Sequence, residues 1–502
     1  MLEGWIGFTQ FYPARTKASS GTLLKSKYHS LMFKLHSITL ALLISFPVQA
    51  FELPDLGEVS RTTLSQAREE RIGREIMRQI RDSANYLDDA VLAEYLNSLG
   101  ERLAAASPDP GQHFEFFPVR DSSINAFALP GGFIGVHTGL ISAARNESEL
   151  AGVLAHEIAH VTQSHIARIV DGQKSSTMAS LAALAIAILA ARSNPDAAQA
   201  AIVTAQAMSI QSQLDFTREH EREADRVGLQ TLAKAQFSPQ GMGTFFERLQ
   251  AQGRLYENNA PAYLRTHPLT FERIADIQNR LAAIPYRQFV DSLEFSLVRA
   301  RVQAAEGESR DALREFEAKV SEQPSVANWY GLSQADLRAG NWSQAEQALN
   351  KADKLGQASP LLDLARAELL MARGQAASAI NVTTAALTQN SAYRPLAYQH
   401  AKALLAAGKA REALDFLDER QRIWSSDGAL FLLKAQAHQA LGQATESFLA
   451  QAEAYVLADR ISAAIEQLQI AQRQGKADFY TLSIVDARLR ELRALQQPEK
   501  SR

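Results

Sequence analysis

The spacing of apolar residues divides the chain into a mixed first part and a helical second part. Residues 62–106 carry apolar side chains on one helical face, and residues 113–120 predict a strand. Residues 125–137 predict two short strands separated by a Pro-Gly-Gly turn. Beyond about residue 290 the pattern is helical throughout. We therefore expect a mainly α protein that contains one small sheet.

One helix of the first part has a clear start. Asn146, followed three positions later by Glu149, forms a capping box, and this helix should run to about Val170. Further on, residues 177–191 are Ala-rich and apolar, and 15 residues are few for crossing a bilayer. This segment is predicted to be a buried or flap-like helix, or else to contact a membrane or an unfolded substrate.

Glycines recur every 34 residues in the second part, at Gly340, Gly374, Gly408 and Gly442. A small residue follows each of them by five positions: Ala345, Ala379, Ala413 and Ser447. The period is that of tetratricopeptide repeats, which pair two helices per unit and present a curved surface for protein recognition. Each glycine should lie in a left-handed turn between paired helices. Gly307 and Gly475 are one residue out of register, so degenerate flanking repeats are expected.

The composition narrows the possible functions. The 502 residues exceed one ordinary core, and a net charge of −3 gives no basic face for nucleic acid. Cysteine is absent, so a metal ion would need His and carboxylate ligands.

The N-terminal 50 residues predict an export signal. A short basic start at Met32, the expected translation start, precedes an apolar run over residues 38–46, and small residues lead to cleavage after Ala50. The alternative is an uncleaved membrane anchor.

The sequence His156-Glu157-Ile-Ala-His160 carries the main candidate chemistry. On a helix the two histidines lie one turn apart, so both imidazoles can reach one Zn²⁺, and Glu157 can take a proton from water. The alternative is a buried helix with two hydrogen-bonded histidines. His165 lies on another side of the helix and is interpreted as structural.

A second acidic helix offers a further ligand. Glu221 and Asp225 are four residues apart, so one can bind a metal while the other orients a histidine. Glu219 and Glu223 should meet solvent or basic neighbours. The alternative is that the whole charged run is a solvated face.

These motifs together resemble peptidase family M48. The resemblance rests on residues 156–160, on Glu-Arg-Glu-Ala-Asp at 221–225, on residues 125–132, and on Thr266-His267-Pro268 with Arg273-Ile274. It implies an α+β zincin-like metallopeptidase domain with a small sheet, followed by an all-α tetratricopeptide-type solenoid. It also implies one Zn²⁺ per chain.

The resemblance assigns roles to individual residues. His156, His160 and Glu221 would bind zinc, Glu157 would act as general base and acid, and Asp225 would support a histidine ligand. His267 would be a fourth ligand or a latency switch, or instead a loop histidine that contacts substrate or the oxyanion. The strand residues that would bind substrate are Asn125, Ala126, Phe127 and Ala128.

The order of segments resembles a soluble, periplasmic branch of this family that acts in outer-membrane β-barrel assembly. The expected partners are unfolded or stalled outer-membrane proteins and, through the repeats, the β-barrel assembly machinery, with possible peripheral membrane contact. The expected divisions are 1–50 (extension and signal), 51–285 (peptidase), 286–490 (repeats) and 491–502 (tail). Two rival functions are a non-catalytic holdase or scaffold with a latent zinc site, and a general peptide-clearing peptidase.

Overall fold

A computed structural model describes residues 65–171, 218–255, 261–285, 289–474 and 477–496. The predicted export signal, the cleavage site after Ala50, the apolar segment 177–191 and Gly475 lie outside the described residues. No helix within the described ranges is long and apolar enough to cross a membrane.

The described chain begins with two helices, α1 (Gln66–Arg81) and α2 (Ala90–Ala106). The prediction that residues 62–106 are helical is wrong only between α1 and α2, where a turn and an extended segment separate the two helices. Asp89 marks the restart, since its carboxylate accepts hydrogen bonds from the N–H groups of Val91 and Leu92. These bonds satisfy two of the donors left unpaired at a helix start.

Three strands form the predicted small sheet: β1 (Glu115–Val119), β2 (Ala126–Leu129) and β3 (Phe133–His137). Their order is β1-β3-β2, with β1 parallel and β2 antiparallel to β3. The Pro130–Gly132 turn connects β2 to β3 as predicted. Within the described part of the chain, β2 lies at an edge of the sheet.

Helix α3 (Thr138–Ala143) leads to α4 (Glu147–Thr162) and α5 (His165–Asp171). The predicted cap of α4 is confirmed, because the side chain of Asn146 accepts a hydrogen bond from the N–H of Glu149 at 2.9 Å. The prediction that this helix runs to about Val170 is wrong. Ser164 has a φ of 52°, in the left-handed region, and so ends the helical course before His165.

The first part is completed by α6 (Arg218–Lys234), α7 (Pro239–Leu255), α8 (Ala262–Thr266) and α9 (Phe271–Ala282). Helices α6 and α7 pack on α4, which also contacts α2 and β2. Almost every residue of α4 is buried. This central helix therefore presents its polar side chains to the interior rather than to solvent.

The second part is a run of helices in which each packs against the next. They are α10 (Leu293–Ala305), α11 (Ser309–Glu322), α12 (Val326–Ala339), α13 (Trp342–Asp353), α14 (Pro360–Ala372), α15 (Ala376–Gln389), α16 (Arg394–Ala406), α17 (Ala410–Ile423), α18 (Gly428–Ala440), α19 (Ala444–Leu457), α20 (Ile461–Gln474) and α21 (Phe479–Gln496). The predicted combination of an α+β domain with an all-α solenoid is confirmed.

The 34-residue glycines have the predicted conformation. Their φ angles are 79°, 73°, 74° and 74° at Gly340, Gly374, Gly408 and Gly442. The four small residues that follow them are at most 1% exposed, as close helix packing requires. The left-handed turns explain why glycine recurs at this point of each unit.

The two parts share one apolar core. Phe295, Leu297 and Val298 of α10 belong to the same cluster of buried residues as Leu150 of α4 and Phe245 of α7. Ion pairs join the parts as well, with Arg301 3.2 Å from Asp89 and Arg394 3.6 Å from Glu94. The predicted limits of the four segments, 1–50, 51–285, 286–490 and 491–502, stay predictions.

Candidate metal centre

The two histidines of α4 converge as their spacing predicts. Their Nε2 atoms lie 3.0 Å apart, and both side chains are fully buried. Two neutral imidazoles cannot form a tight contact through two lone pairs, so a proton or a cation must lie between these nitrogens. The contact suits a ligand pair as well as the alternative of two hydrogen-bonded histidines, and the side chains around the pair distinguish the two.

Helix α6 brings a carboxylate to the same point. Glu221 Oε2 lies 3.4 Å from His156 Nε2, and its Oε1 lies 3.4 Å from His160 Nε2. Gly228 makes this approach possible, since a Cβ there would be only 3.2 Å from the backbone nitrogen of His156. Glu221 is 1% exposed, so the alternative that the whole charged run is a solvated face does not hold for this side of α6.

His267, in the loop after α8, completes a group of four. Its Nδ1 lies 3.0 Å from Glu221 Oε1 and 3.4 Å from His156 Nε2. The ring of Tyr263 stacks on the imidazole with centroids 4.6 Å apart. Burial and stacking together hold this histidine at the site. Its loop is distant from α4 in the sequence, so residue spacing alone does not place it there.

The four side chains fit a tetrahedral metal ion. One ligand atom from each can be chosen so that all lie within 4.8 Å of one another, and the closest contacts are 3.0–3.4 Å. Ligands bonded at the usual zinc distances in a tetrahedron are about 3.3 Å apart. Three imidazoles and a carboxylate are also donors that suit a divalent metal such as zinc.

Glu157 lies beside this group and next to the sheet edge. Its Oε1 is 3.6 Å from His267 Nε2, and the backbone of Ala128 in β2 forms a hydrogen bond to its carboxylate. Burial raises the pKa of Glu157, although the nearby histidines lower it in part. The carboxylate is thus a proton acceptor placed between the ligand group and an edge strand.

Asp225 contacts His156 at Nδ1, the ring nitrogen that does not face the ligand group. Its Oδ1 lies 3.1 Å from His156 Nδ1, which directs the other ring nitrogen to the ligand group. Burial lowers the pKa of His156, but hydrogen bonds to Asp225 and Glu221 outweigh burial and raise this pKa to about 9. The two carboxylates thus stabilise positive charge at this imidazole.

The break after α4 turns His165 back toward the ligands. Its Nδ1 lies 2.9 Å from Nδ1 of His160, and its Nε2 lies 3.1 Å from Glu223. Hydrogen bonds from His165 and Arg168 lower the pKa of Glu223 to about 2. His165 thus lies outside the group of four, and Glu223 meets basic neighbours while Glu219 is exposed.

Arg273 is the site residue whose role the sequence did not reveal. Its guanidinium is 1% exposed and contacts both Asp225 and Glu221 at 2.7 Å. One signal was available, because Arg273 lies in line with Ile277 and Leu281 on the buried face of α9. A charged residue on an apolar face needs a buried partner of opposite charge.

The predicted substrate strand is close to these groups. Ala126, Phe127 and Ala128 belong to β2, and Asn125 precedes it as a buried residue. The backbone N–H of Tyr263 also donates to the carbonyl of Ile124, which ties α8 to the start of this strand. The edge strand, Glu157 and the His267 loop thus lie next to one another.

Comparison with known proteins identifies the family. The profile of peptidase family M48 matches residues 91–281. The chain is 35% identical over 462 residues to the beta-barrel assembly-enhancing protease of Escherichia coli (strain K12), covering 90% of this chain and 93% of that relative. The relative of the same name in Yersinia pestis is 31% identical over 451 residues, with 89% and 92% covered. Metalloprotease LoiP of Escherichia coli (strain K12) is 26% identical over 245 residues, with 48% and 88% covered. With a buried ligand group inside the matched residues and similarity along nine-tenths of its length, the chain belongs to peptidase family M48.

Proposed function

We propose that this chain is a zinc metalloendopeptidase that hydrolyses unfolded or misassembled proteins. One zinc ion per chain is bound by His156, His160 and Glu221, and Glu157 is the general base. The observation that carries this proposal is the convergence of the ligand atoms, at 3.0–3.4 Å, beside a buried carboxylate.

The residues divide the chemistry between them. Zinc, when bound, supplies Lewis acidity to the scissile carbonyl and makes water more acidic. Glu157 accepts the proton of the attacking water and delivers it to the leaving amine, which its burial and raised pKa favour. Asp225 holds the ring of His156 in the orientation that keeps Nε2 available.

The substrate is proposed to bind as an added strand along β2. Main-chain hydrogen bonds to residues 125–128 would align an extended peptide, and the Ala128 contact brings that strand next to Glu157. Backbone recognition depends little on side chains. The enzyme should therefore accept many sequences, provided that the substrate is unfolded.

His267 is proposed to occupy the fourth position at the metal and to keep the resting enzyme latent. Its Nδ1 is as close to Glu221 and His156 as the other ligand atoms are to one another. The alternative role is contact with substrate or with the oxyanion of the transition state. Release of His267 would be needed only in the first case.

The proposed setting is the periplasm, in outer-membrane β-barrel assembly and quality control. The name that the two relatives share, beta-barrel assembly-enhancing protease, and the repeats support this proposal. The enzyme would promote the maturation of assembling barrels in a chaperone-like role and degrade stalled ones. The repeats would contact the assembly machinery, and the chain would also make peripheral contact with the membrane.

Hydrolysis of an unfolded, fluorescently labelled protein by the purified full chain tests the proposed activity. Activity should be lost after metal chelation and return when zinc is added. A chain that prevents aggregation of the same substrate but never cleaves it would instead be a holdase. That alternative is disfavoured because the ligands and Glu157 are all present.

A substrate trap tests the proposed setting. Full-length Glu157→Gln, expressed in a Gram-negative envelope, should retain outer-membrane β-barrel proteins and assembly components. Equal retention of unrelated soluble proteins would favour general peptide clearance instead. The full chain is needed, because the repeats and the peptidase part share one core and a truncation would expose it.

A further inference from the structure

The guanidinium of Arg273 contacts three different residues around the ligand group, two of them through hydrogen bonds. Nε and Nη2 donate to the two oxygens of Asp225 at 2.7 Å each. Nη1 lies 2.7 Å from Glu221 Oε2 and donates to the carbonyl of Pro268 at 2.8 Å. One side chain therefore contacts a ligand, the residue that orients another ligand, and the loop that carries His267.

Arg273 also balances part of the negative charge of several buried carboxylates. Glu157, Glu221 and Asp225 are three carboxylates that are each 1% exposed. Buried like charges this close cannot all stay ionised without cations. A divalent ion together with Arg273 would balance all three, so the guanidinium supplies the charge that the ion alone leaves uncompensated.

The two oxygens of Glu221 are in different environments. Oε2 lies 2.7 Å from Arg273 Nη1 and 3.4 Å from His156 Nε2, whereas Oε1 lies 3.0 Å from His267 Nδ1 and 3.4 Å from His160 Nε2. A carboxylate oxygen that is paired with a guanidinium is a weaker donor to a metal. Oε1, the oxygen near His267 and His160, is thus the better one for coordination.

We infer that Arg273 is a positioning residue that makes Glu221 bind the metal through Oε1 alone and that keeps Asp225 against His156. This inference rests on the proposed metal site and adds a specific determinant of its geometry. Without the guanidinium, Oε2 would lose its ion-pair partner and would be free to bind the metal together with Oε1, which raises the coordination number. Loss of the guanidinium also releases Asp225 from its fixed orientation toward His156.

Two variants of Arg273 separate the effect of its positive charge from that of its bidentate hydrogen bonding. Arg273→Lys keeps a positive charge without the bidentate geometry, and Arg273→Met removes both while keeping much of the volume. The chain also offers a matched control away from the site. Arg248 donates to both oxygens of Glu149 at 2.7 Å and to the carbonyl of Ala143 at 3.0 Å, so Arg248→Met removes a comparable bidentate contact.

The test measures zinc affinity by competition with a chromophoric chelator, and the visible spectrum of the cobalt-substituted protein. Arg273→Met should bind zinc about 10–100-fold more weakly, a typical result of losing a residue that supports a ligand, and Arg273→Lys should fall between it and the parent. The cobalt spectrum of Arg273→Met should weaken, as expected for a higher coordination number. Arg248→Met should lower thermal stability without changing either property.

Equal losses of zinc affinity in Arg273→Met and Arg248→Met would overturn the inference, since they would show a general effect of lost stability. A zinc affinity and cobalt spectrum of both Arg273 variants identical to those of the parent would overturn it too. A parent protein that binds neither zinc nor cobalt would instead refute the proposed metal site. The failure of the inference and that of the proposed function are thus distinguishable.

Discussion

Arg273 donates two hydrogen bonds to Asp225, each 2.7 Å long, although 48 residues separate them in the sequence. Asp225 in turn lies 3.1 Å from His156 Nδ1. The guanidinium therefore contacts the residues that hold the ligand group, whereas Glu157 lies on the side of that group next to β2. Changes at these two positions should have different consequences for metal binding and for hydrolysis.

The Glu157→Gln variant should keep its metal and lose hydrolysis. The amide retains the size of the side chain but cannot accept the proton of water, so kcat should fall by about 10²–10⁴-fold. Turnover of a labelled unfolded protein measures this. Glu219→Gln makes the same chemical change on the exposed face of α6 and should leave kcat unchanged. Parental activity in Glu157→Gln would rule out the proposed base.

The His267→Ala variant should retain zinc and hydrolyse unfolded protein faster than the parent. The reason is that His156, His160 and Glu221 remain, while the fourth position becomes available to water and substrate. Steady-state kcat/KM on an unfolded substrate distinguishes the two roles of His267. A fall in kcat/KM with zinc still bound would show that it acts on the substrate instead.

The Gly374→Ala variant should destabilise the repeats through backbone strain alone. Gly374 has a φ of 73°, and a Cβ there would meet no atom within 4 Å. The expected cost is about 1–2 kcal/mol, the penalty of an L-residue in the left-handed region. Gly428→Ala is the control, because it lies in the first turn of α18 with ordinary contacts. Equal urea midpoints for the two variants would contradict the assigned turn.

The Phe295→Ala variant should destabilise both parts of the chain together. Phe295 lies at the start of α10 and is 1% exposed within the shared core, so its truncation should cost about 3–5 kcal/mol. Calorimetry and loss of hydrolysis on heating should shift down in parallel. Separate transitions, with only the repeat transition moved, would show that the two parts unfold independently.

The sequence predicted elements whose signals are local. The cap at Asn146, the turn at residues 130–132 and the 34-residue glycines each depend on a few neighbouring residues, and all are present. The two errors concern interruptions of helices. Ser164 adopts a positive φ without being Gly or Asn, so this break had no distinctive residue. The restart of α2 had one, because Asp89 is a common type of cap residue and precedes the apolar series that begins at Val91.

The site was predictable to the extent that it lies on one helix. His156 and His160 follow from a spacing of four residues, whereas Glu221 and His267 come from a distant helix and a loop and depended on family resemblance. Residue spacing contains no information on the contact from Arg273 to Asp225. That contact follows from how α9 packs against α6, which the sequence indicates only through a charge on an apolar face.

Metal content measured by mass spectrometry tests the central claim most directly. Protein purified without added metal should contain about one zinc per chain, as a buried site with His and carboxylate ligands predicts. Glu157→Gln should keep that zinc, whereas His156→Ala and Glu221→Ala should lose most of it. A zinc-free parent, or a Glu221→Ala protein that retains the parental zinc content, would contradict the account.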